Sequence, residues 1–263
     1  MGFSYLIVSL DDGIETIAFN RPKALNALNS ALLEELSAAL DAVESDENIR
    51  VLVLTGTGDK AFVAGADIKE LAGLNALQAK SFAHKGQTVI NKIVDLPVPV
   101  LAAINGYALG GGLEIALACD FIYAAESAGL GLPETTLGLI PGFGGTQRLP
   151  RIIGPNLSKE LIYTGKIITA AEAHLMGLVN RVEAPEALMA SVMKTARAMA
   201  AKGRISLRSA KEAINSGLDT GLDTGLKIEQ DAFAICMASQ DAGEGTRAFI
   251  EKRPPVFKGN LTT

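Results

Sequence analysis

The chain has 263 residues, of which 48% are apolar, and its formal net charge is −5. This size and apolar content suit one large domain, or one domain with a small appendage, built around a sizeable core. The acidic balance argues against nucleic acid as the main partner, although basic residues can still cluster around a phosphorylated ligand. The most apolar run, residues 98–104, is too short to span a bilayer. We therefore expect a soluble, cytoplasmic protein with no membrane partner.

The first half of the chain alternates between the periodicities of strands and helices. Apolar and β-branched residues at 5–10 and 14–19 flank Asp11-Asp12-Gly13, which predicts a hairpin. The pattern then predicts, in chain order, a helix at 30–45, a strand at 50–55, a helix at 75–95, a strand at 97–104, a helix at 113–119 and a strand at 121–125. Alternation of this kind predicts an α/β core.

The remainder of the chain has almost continuous helical spacing. Helices are predicted at 146–153, 158–163, 170–176, 185–201, 206–216, 223–238 and 242–252. Pro185 suits a first helical turn, and Pro254-Pro255 is expected to stop the last helix. We expect this helical tail to pack on a neighbouring subunit as well as on its own.

Two glutamates stand in glycine-rich surroundings. Glu114 ends the run NGYALGGGLE, residues 105–114, and Glu134 ends GLGLPE, residues 129–134, shortly before IPGFGGTQR at 140–148. Glycine lets a backbone approach a ligand closely, and a carboxyl group held in an apolar pocket can exchange protons near neutral pH. Two such groups predict that one proton leaves a substrate while another is delivered nearby.

Two segments are candidates for backbone hydrogen-bond donation to a ligand. Gly110-Gly111-Gly112 precedes the helix predicted to start near Leu113, and the N–H groups at a helix start attract negative charge. Small residues at 64–66 allow a second close approach. A dinucleotide fingerprint fails because Ile115 stands where it needs glycine, and a phosphate loop ending in Gly-Lys-Ser/Thr does not occur. Two N–H groups from separate loops could instead hold one developing oxyanion.

The chain closely resembles the crotonase, or enoyl-CoA hydratase, family of acyl-CoA enzymes. The resemblance runs from the first hairpin to residues 249–253. It is carried, in order, by NRPKALNAL at 20–28, AGADIK at 64–69, NGYALGGGLE at 105–114, and Pro133-Glu134 with PGFGGTQRL at 141–149. It implies a spiral core of ββα repeats over 1–200 and a helical trimerisation region over 201–263, assembled as a homotrimer or a dimer of trimers.

The same resemblance implies a role for individual residues. The amides of Ala66 and Gly111 match an oxyanion hole for a thioester carbonyl, and Glu114 and Glu134 match the two catalytic acids. The resemblance also implies contacts with coenzyme A for Lys23, Ala24, Leu25, Asp67, Ile68 and Lys69. It implies them less specifically for Phe257 and Lys258, which match positions that reach a neighbour's coenzyme A. No metal and no separate cofactor is expected, because coenzyme A is part of the substrate. Leu132 stands where many relatives have glutamine, which puts the acyl-chain preference in doubt.

Retention of both glutamates favours reversible addition of water across the 2,3 double bond of an enoyl-CoA. A Δ3,Δ2-enoyl-CoA isomerase on the same scaffold is the main alternative. A glycosidase also uses two carboxylates, but the absence of tryptophan and 5% aromatic content give it few sugar-stacking surfaces. A non-catalytic or RNA-binding relative is disfavoured by the two glutamates and the acidic charge.

Structural roles are expected for three other polar residues. Asp120 is predicted to be a buried hydrogen-bonding residue, Arg148 to hold the turn after the Gly144-Gly145 pair, and Asp67 to be a loop or helix-cap residue. The two cysteines, Cys119 and Cys236, are too far apart in sequence for a metal or redox motif and are expected to be reduced.

Overall fold

The structure is a computed structural model, and it describes residues 2–259. The strands are β1 Leu6–Asp11, β2 Ile14–Phe19, β3 Val51–Gly56, β4 Ala61–Ala64, β5 Val100–Ile104, β6 Tyr107–Leu109, β7 Phe121–Ala125, β8 Gly129–Gly131, β9 Ile168–Thr169 and β10 Arg181–Glu183. The α-helices are α1 Ser30–Ser45, α2 Ile68–Leu71, α3 Ala76–Asp95, α4 Gly111–Ala116, α5 Gly145–Ile153, α6 Pro155–Thr164, α7 Ala170–Leu175, α8 Leu188–Ala200, α9 Arg204–Leu218, α10 Leu222–Met237 and α11 Gln240–Ile250. Short 3₁₀ helices cover Pro22–Ala24 and Pro133–Leu137.

The elements repeat as pairs of strands followed by helix. β1-β2-α1, β3-β4-α2-α3, β5-β6-α4 and β7-β8, followed by the second 3₁₀ helix and α5, form four such units. The first strand of each later unit joins one sheet, of order β1-β2-β3-β5-β7-β10, and the second joins another, of order β4-β6-β8-β9. The predicted α/β class with ββα repeats is therefore confirmed.

The inner strand β3 of the larger sheet is buried on both faces, whereas the outer strand β1 is largely exposed. Along β3, Leu52 and Leu54 point into the main core, while Val51 and Val53 point into a second cluster that includes Leu188 of α8. A strand covered on both faces is apolar at nearly every position, which explains the continuous run VLVL in this parallel part of the sheet.

The C-terminal helices α9, α10 and α11 follow the last strand and do not belong to the strand–strand–helix units. α9 and α10 pack against each other, and α11 follows. Lys211 on α9 attaches this layer to the core, because its ammonium group lies 3.2 Å from Asp120 Oδ2 and donates to the carbonyl of Val98 at 3.1 Å. Asp120 Oδ2 also accepts from the amide of Val100 at 2.7 Å, so the predicted hydrogen-bonding role of Asp120 is confirmed, although the residue is not buried.

Several predictions about elements are corrected. The short strands β4, β6, β8, β9 and β10 and helix α2 were not predicted, α4 begins at Gly111 rather than near Leu113, and β5 begins at Val100 after its prolines. Pro185 lies in a turn three residues before α8 rather than in its first turn. The last helix ends at Ile250, ahead of Pro254, as predicted. Within residues 2–259, no helix is long and apolar enough to cross a membrane.

Candidate active site

The candidate site lies at one edge of the smaller sheet. β4 pairs with β6 and β6 with β8, both in parallel, so the carboxyl ends of these three strands meet at the same edge. β4 leads to Gly65-Ala66, β6 leads to Gly110-Gly111, and β8 leads to Glu134. Three segments that are separate in sequence are thereby brought side by side.

A cavity of about 400 Å³ opens at this edge. Its lining contains Ala66, Gly111, Glu114 and Glu134, the four residues for which an oxyanion-binding or acid–base role was predicted. The rest of the lining is mainly apolar and includes Ile68, Leu71, Ala79, Phe82, Leu109, Leu137, Leu139, Ile140 and Phe143. The cavity can therefore accommodate a ligand with an apolar part and a polar part, with the polar part next to the two carboxyls.

Two main-chain N–H groups are available at the cavity. Among residues 2–259, none accepts a hydrogen bond from the amide of Ala66 or of Gly111. Gly111 is the first residue of α4, where an N–H has no partner within the helix. The preceding Gly110 has φ 49° and ψ −123°, a conformation that requires glycine, and its own amide is held by Gly131 O at 2.9 Å. The chain thus turns sharply from β6 into α4 with the next amide left unpaired.

Glu114 projects from α4 and is almost completely buried. Its Oε1 accepts hydrogen bonds from the amides of Phe143 at 2.8 Å and Gly145 at 2.7 Å. Burial raises the pKa of Glu114 to about 7, and the nearby charge of Glu134 adds to this, whereas the two amides and Arg148 act in the opposite direction. A carboxyl group with this pKa can exchange a proton at neutral pH.

Glu134 lies in the 3₁₀ helix Pro133–Leu137. Its Oε2 is buried and has no hydrogen-bond partner in the described part of the chain. Its Oε1 is so close to Gly110 that a Cβ added there would stand 2.8 Å away. Burial raises the pKa of Glu134, so this carboxyl holds a proton more readily than an exposed one.

The residues predicted to contact coenzyme A near the N-terminus gather beside the cavity. Lys23 and Ala24 belong to the first 3₁₀ helix, and Leu25 follows in the left-handed conformation, with its carbonyl accepting from Ala64 at 3.0 Å. The amide of Lys69 is capped by the side chain of Asp67, which confirms the capping prediction.

The remaining predicted contacts divide into two groups. Ile68 lines the cavity itself. Phe257 and Lys258 lie elsewhere, against α11, where the amide of Lys258 donates to Asp241 Oδ1 at 3.0 Å and the ring of Phe257 adjoins Gly245. The cavity of their own chain is not lined by either residue. Their contact with a neighbour's coenzyme A stays a prediction.

The turn at residues 142–145 was not recognised as part of the site from the sequence. The amides of Phe143 and Gly145 hold Glu114, and Arg148 Nη1 donates to the carbonyl of Phe143 at 3.0 Å. The prediction that Arg148 holds a turn is confirmed, but that turn lies at 142–145 and leads into α5 rather than following the glycine pair. Leu132, in contrast, is buried beneath Gly145 and does not line the cavity, so its expected influence on the acyl pocket is not a direct contact.

Comparisons with known proteins agree with this arrangement. The family model described as "Enoyl-CoA hydratase/isomerase" matches residues 9–260. A protein of Syntrophomonas wolfei named crotonyl-CoA hydratase is 47% identical over 98% of this chain and 99% of its own length. A short-chain-enoyl-CoA hydratase of Clostridium acetobutylicum is 42% identical over 96% of this chain and 97% of its own.

The fold has equally clear relatives among solved structures. The crystal structure of an enoyl-CoA hydratase from Bacillus anthracis matches with a TM-score of 0.95 and 48% identity, covering 98% of this chain and 100% of that one. With a family model spanning almost the whole chain and relatives of this identity and coverage, the chain belongs to the enoyl-CoA hydratase/isomerase family.

Proposed function

We propose that the protein adds water reversibly across the 2,3 double bond of enoyl-CoA thioesters to give 3-hydroxyacyl-CoA. The observation that carries the proposal is the presence of two carboxyl groups, Glu114 and Glu134, in one cavity that also has the free amides of Ala66 and Gly111. The names of the relatives from S. wolfei and C. acetobutylicum support hydration as the reaction.

The reaction begins with the thioester carbonyl held by the amides of Ala66 and Gly111. Glu114 accepts a proton from water while the water oxygen bonds to Cβ, and the electron pair of the double bond moves towards the carbonyl oxygen. The two amides stabilise the enolate-like oxygen; removal of one such donor typically costs about 10²–10³ in rate. Glu134 then delivers its proton to Cα. One water molecule supplies the hydroxyl group. Its proton, taken up by Glu114, balances the proton that Glu134 gives to Cα.

The electrostatics of the cavity suit proton exchange. Burial raises the pKa of both carboxyls, to about 7 for Glu114, so each binds a proton more readily than an exposed glutamate does. Because every step is a proton transfer or an addition, we propose that no separate cofactor and no metal takes part.

Hydration and isomerisation are distinguished by a simple assay. Crotonyl-CoA mixed with the protein should lose the absorbance of its conjugated thioester, since water addition removes the double bond. A Δ3,Δ2-isomerase would leave that absorbance nearly unchanged, because the conjugated isomer is favoured at equilibrium, so a stable signal with folded protein would contradict the proposal. The isomerase alternative has less support, because it needs only one of the two carboxyls in the cavity.

Replacement of each carboxyl tests its role. Glu114→Gln and Glu134→Gln should each lower kcat at least about 10²-fold while thioester binding persists, since general acid–base catalysis contributes on that order. Glu44→Gln is the matched control, because Glu44 is an exposed residue of α1 remote from the cavity lining. Near-normal turnover in either cavity variant would remove the role assigned to that residue.

We propose that the coenzyme A moiety binds along residues 23–25 and 67–69. Lys23 and Lys69 provide positive charge for its phosphates, and Ile68 links this surface to the cavity. Replacing either lysine by alanine should raise KM and leave kcat nearly unchanged, because the reacting atoms lie elsewhere.

We further propose a homotrimer or a dimer of trimers, formed through helices α9–α11 and located in the cytoplasm. Support comes from large apolar side chains exposed on or between these helices: Leu218, Leu222, Phe233, Phe249 and Ile250. Apolar surface of this extent is typical of an interface. Light scattering should give three or six times the chain mass of 27.4 kDa; a monomer would contradict the assembly.

A further inference from the structure

Arg148 lies behind the candidate active site, on the side away from the cavity. Its half-buried guanidinium group is underneath Gly144, so close that a Cβ added to this glycine would overlap it. Nη1 donates to the carbonyl of Phe143 at 3.0 Å, and Nη2 donates to Asn91 Oδ1 of α3 at 2.6 Å. The planar group therefore joins the turn at 142–145 to a helix that is 57 residues distant in the chain.

The same turn holds the carboxyl group of Glu114. The peptide groups around Gly144 donate two hydrogen bonds to Oε1 of Glu114, from Phe143 and Gly145, while the carbonyl of Phe143 faces the other way and accepts from Arg148. The orientation of these amides is thus coupled to the position of the guanidinium. A second bond from α3, from Gln87 Nε2 to the carbonyl of Gly142 at 2.8 Å, restrains the start of the turn.

We propose that Arg148 is a positioning residue for the reaction: its guanidinium group, anchored by Asn91, fixes the 142–145 turn and through it the direction in which Glu114 meets the water. The expected effect on turnover rests on the proposed function. The expected effect on the position and pKa of Glu114 does not, because both can be measured in the protein without substrate.

Charge adds a second effect to the geometric one. Among charged groups, Glu134 raises the pKa of Glu114 and Arg148 lowers it, and Arg148 is itself influenced by Glu114 and by Asp95 of α3. No direct ion pair joins Arg148 to Glu114 in the described residues, so the charge acts across the turn. Loss of the planar fork should raise the pKa of Glu114, because the amides of Phe143 and Gly145 then bond its carboxylate less well, and loss of the charge in addition should raise it further.

Two substitutions separate these effects. Arg148→Lys keeps the charge but cannot bond Phe143 and Asn91 with one rigid fork, and Arg148→Gln loses both features. We expect kcat for crotonyl-CoA hydration to fall about tenfold to a hundredfold in both variants, as for a misplaced catalytic group, with little change in KM. Arg151→Gln is the control, because Arg151 is an exposed arginine on the same helix and should leave kcat unchanged.

The titration of Glu114 is the second readout and needs no substrate. Carbon-13 NMR of protein labelled at glutamate carboxyls, with Glu114→Gln identifying the signal, should show an upward shift of the Glu114 pKa in Arg148→Lys and a larger one in Arg148→Gln. If wild-type protein fails to hydrate crotonyl-CoA, the proposed function fails, and the titration still tests Arg148.

Unchanged kcat and unchanged titration in both Arg148 variants would overturn the proposal. A loss of activity that is fully explained by a loss of folded protein, measured by circular dichroism, would also overturn it. Should neither variant fold, Asn91→Ala carries the test, since Asn91 is exposed on α3 and its loss frees the guanidinium. A kcat equal to wild type in Asn91→Ala would then refute the role.

Discussion

Gly110 connects β6 to the helix that bears Glu114, and its replacement by alanine should damage both stability and turnover. The left-handed φ of 49°, with ψ −123°, is unfavourable for any residue with a Cβ and should cost about 1–3 kcal/mol. For a chain of this length that loss lowers Tm by about 2–12 °C. The new Cβ would also stand 2.8 Å from Glu134 Oε1, closer than carbon and oxygen tolerate, so the carboxyl must move. A displacement approaching 1 Å costs up to about 10²-fold in rate, and we expect kcat to fall at least about tenfold.

Two control variants make the Gly110→Ala result interpretable. Gly177 also has a positive φ, 78°, but an added Cβ there meets nothing within 4 Å, so Gly177→Ala should lower Tm by a similar amount and keep normal kcat. Gly243 lies within α11 with open space around it, and alanine there should raise Tm slightly. Tm is measured by differential scanning calorimetry and kcat with crotonyl-CoA. Equal kcat in Gly110→Ala and Gly177→Ala would refute the argument that Gly110 keeps Glu134 in place.

Two further predictions concern charge and stability. Glu114 binds a proton more readily in the folded chain, with a pKa of about 7, than at its ordinary value of 4.5, so it lowers the free energy of unfolding as pH rises between these values, by at most about 3 kcal/mol. Glu114→Gln should therefore be more stable than wild type at pH 8 in urea denaturation and lose that advantage near pH 4.5; a pH-independent difference would contradict this sign. Lys211→Met should cost up to about 3 kcal/mol at pH 7, because side chains only 9% and 23% exposed form the Lys211–Asp120 pair and Asp120 would keep an uncompensated charge. Adding Asp120→Asn should restore part of the loss, and no recovery would show that packing rather than charge is responsible.

The elements that were predictable from the sequence have a clear local period. The hairpin of β1 and β2, the amphipathic helices α1 and α3, and the apolar strand β3 each contain enough residues for a repeat of two or 3.6 to be visible. The smaller sheet was missed because β4, β6, β8 and β9 have only two to four residues each. Strands this short are stabilised by the strands beside them in the sheet. Those strands lie far away in the sequence, so no short stretch of sequence reveals them.

The candidate site shows the same division. Glu114, Glu134 and the glycine run at 110–112 are visible in the sequence as unusual groupings, and the resemblance to a family indicated how to pair them with Ala66. The residues that support Glu114 on the side away from the cavity cannot be recognised from the sequence. Arg148 reaches Asn91 on α3, and nothing in the spacing of these two residues indicates the contact. The raised pKa of Glu114 likewise arises from burial by residues far apart in the chain.

The unpaired amides of Ala66 and Gly111 belong to the peptide backbone, which every amino acid except proline supplies. A point mutation at either codon therefore seldom deletes the donor itself, so the proposed polarisation of the substrate carbonyl persists through most genetic change. Side chains 114 and 134 have no such protection. If the proposed roles hold, divergence from a common ancestor can retain activation of the thioester while altering which protons move, and single replacements at positions 114 and 134 can give new reactions on this scaffold.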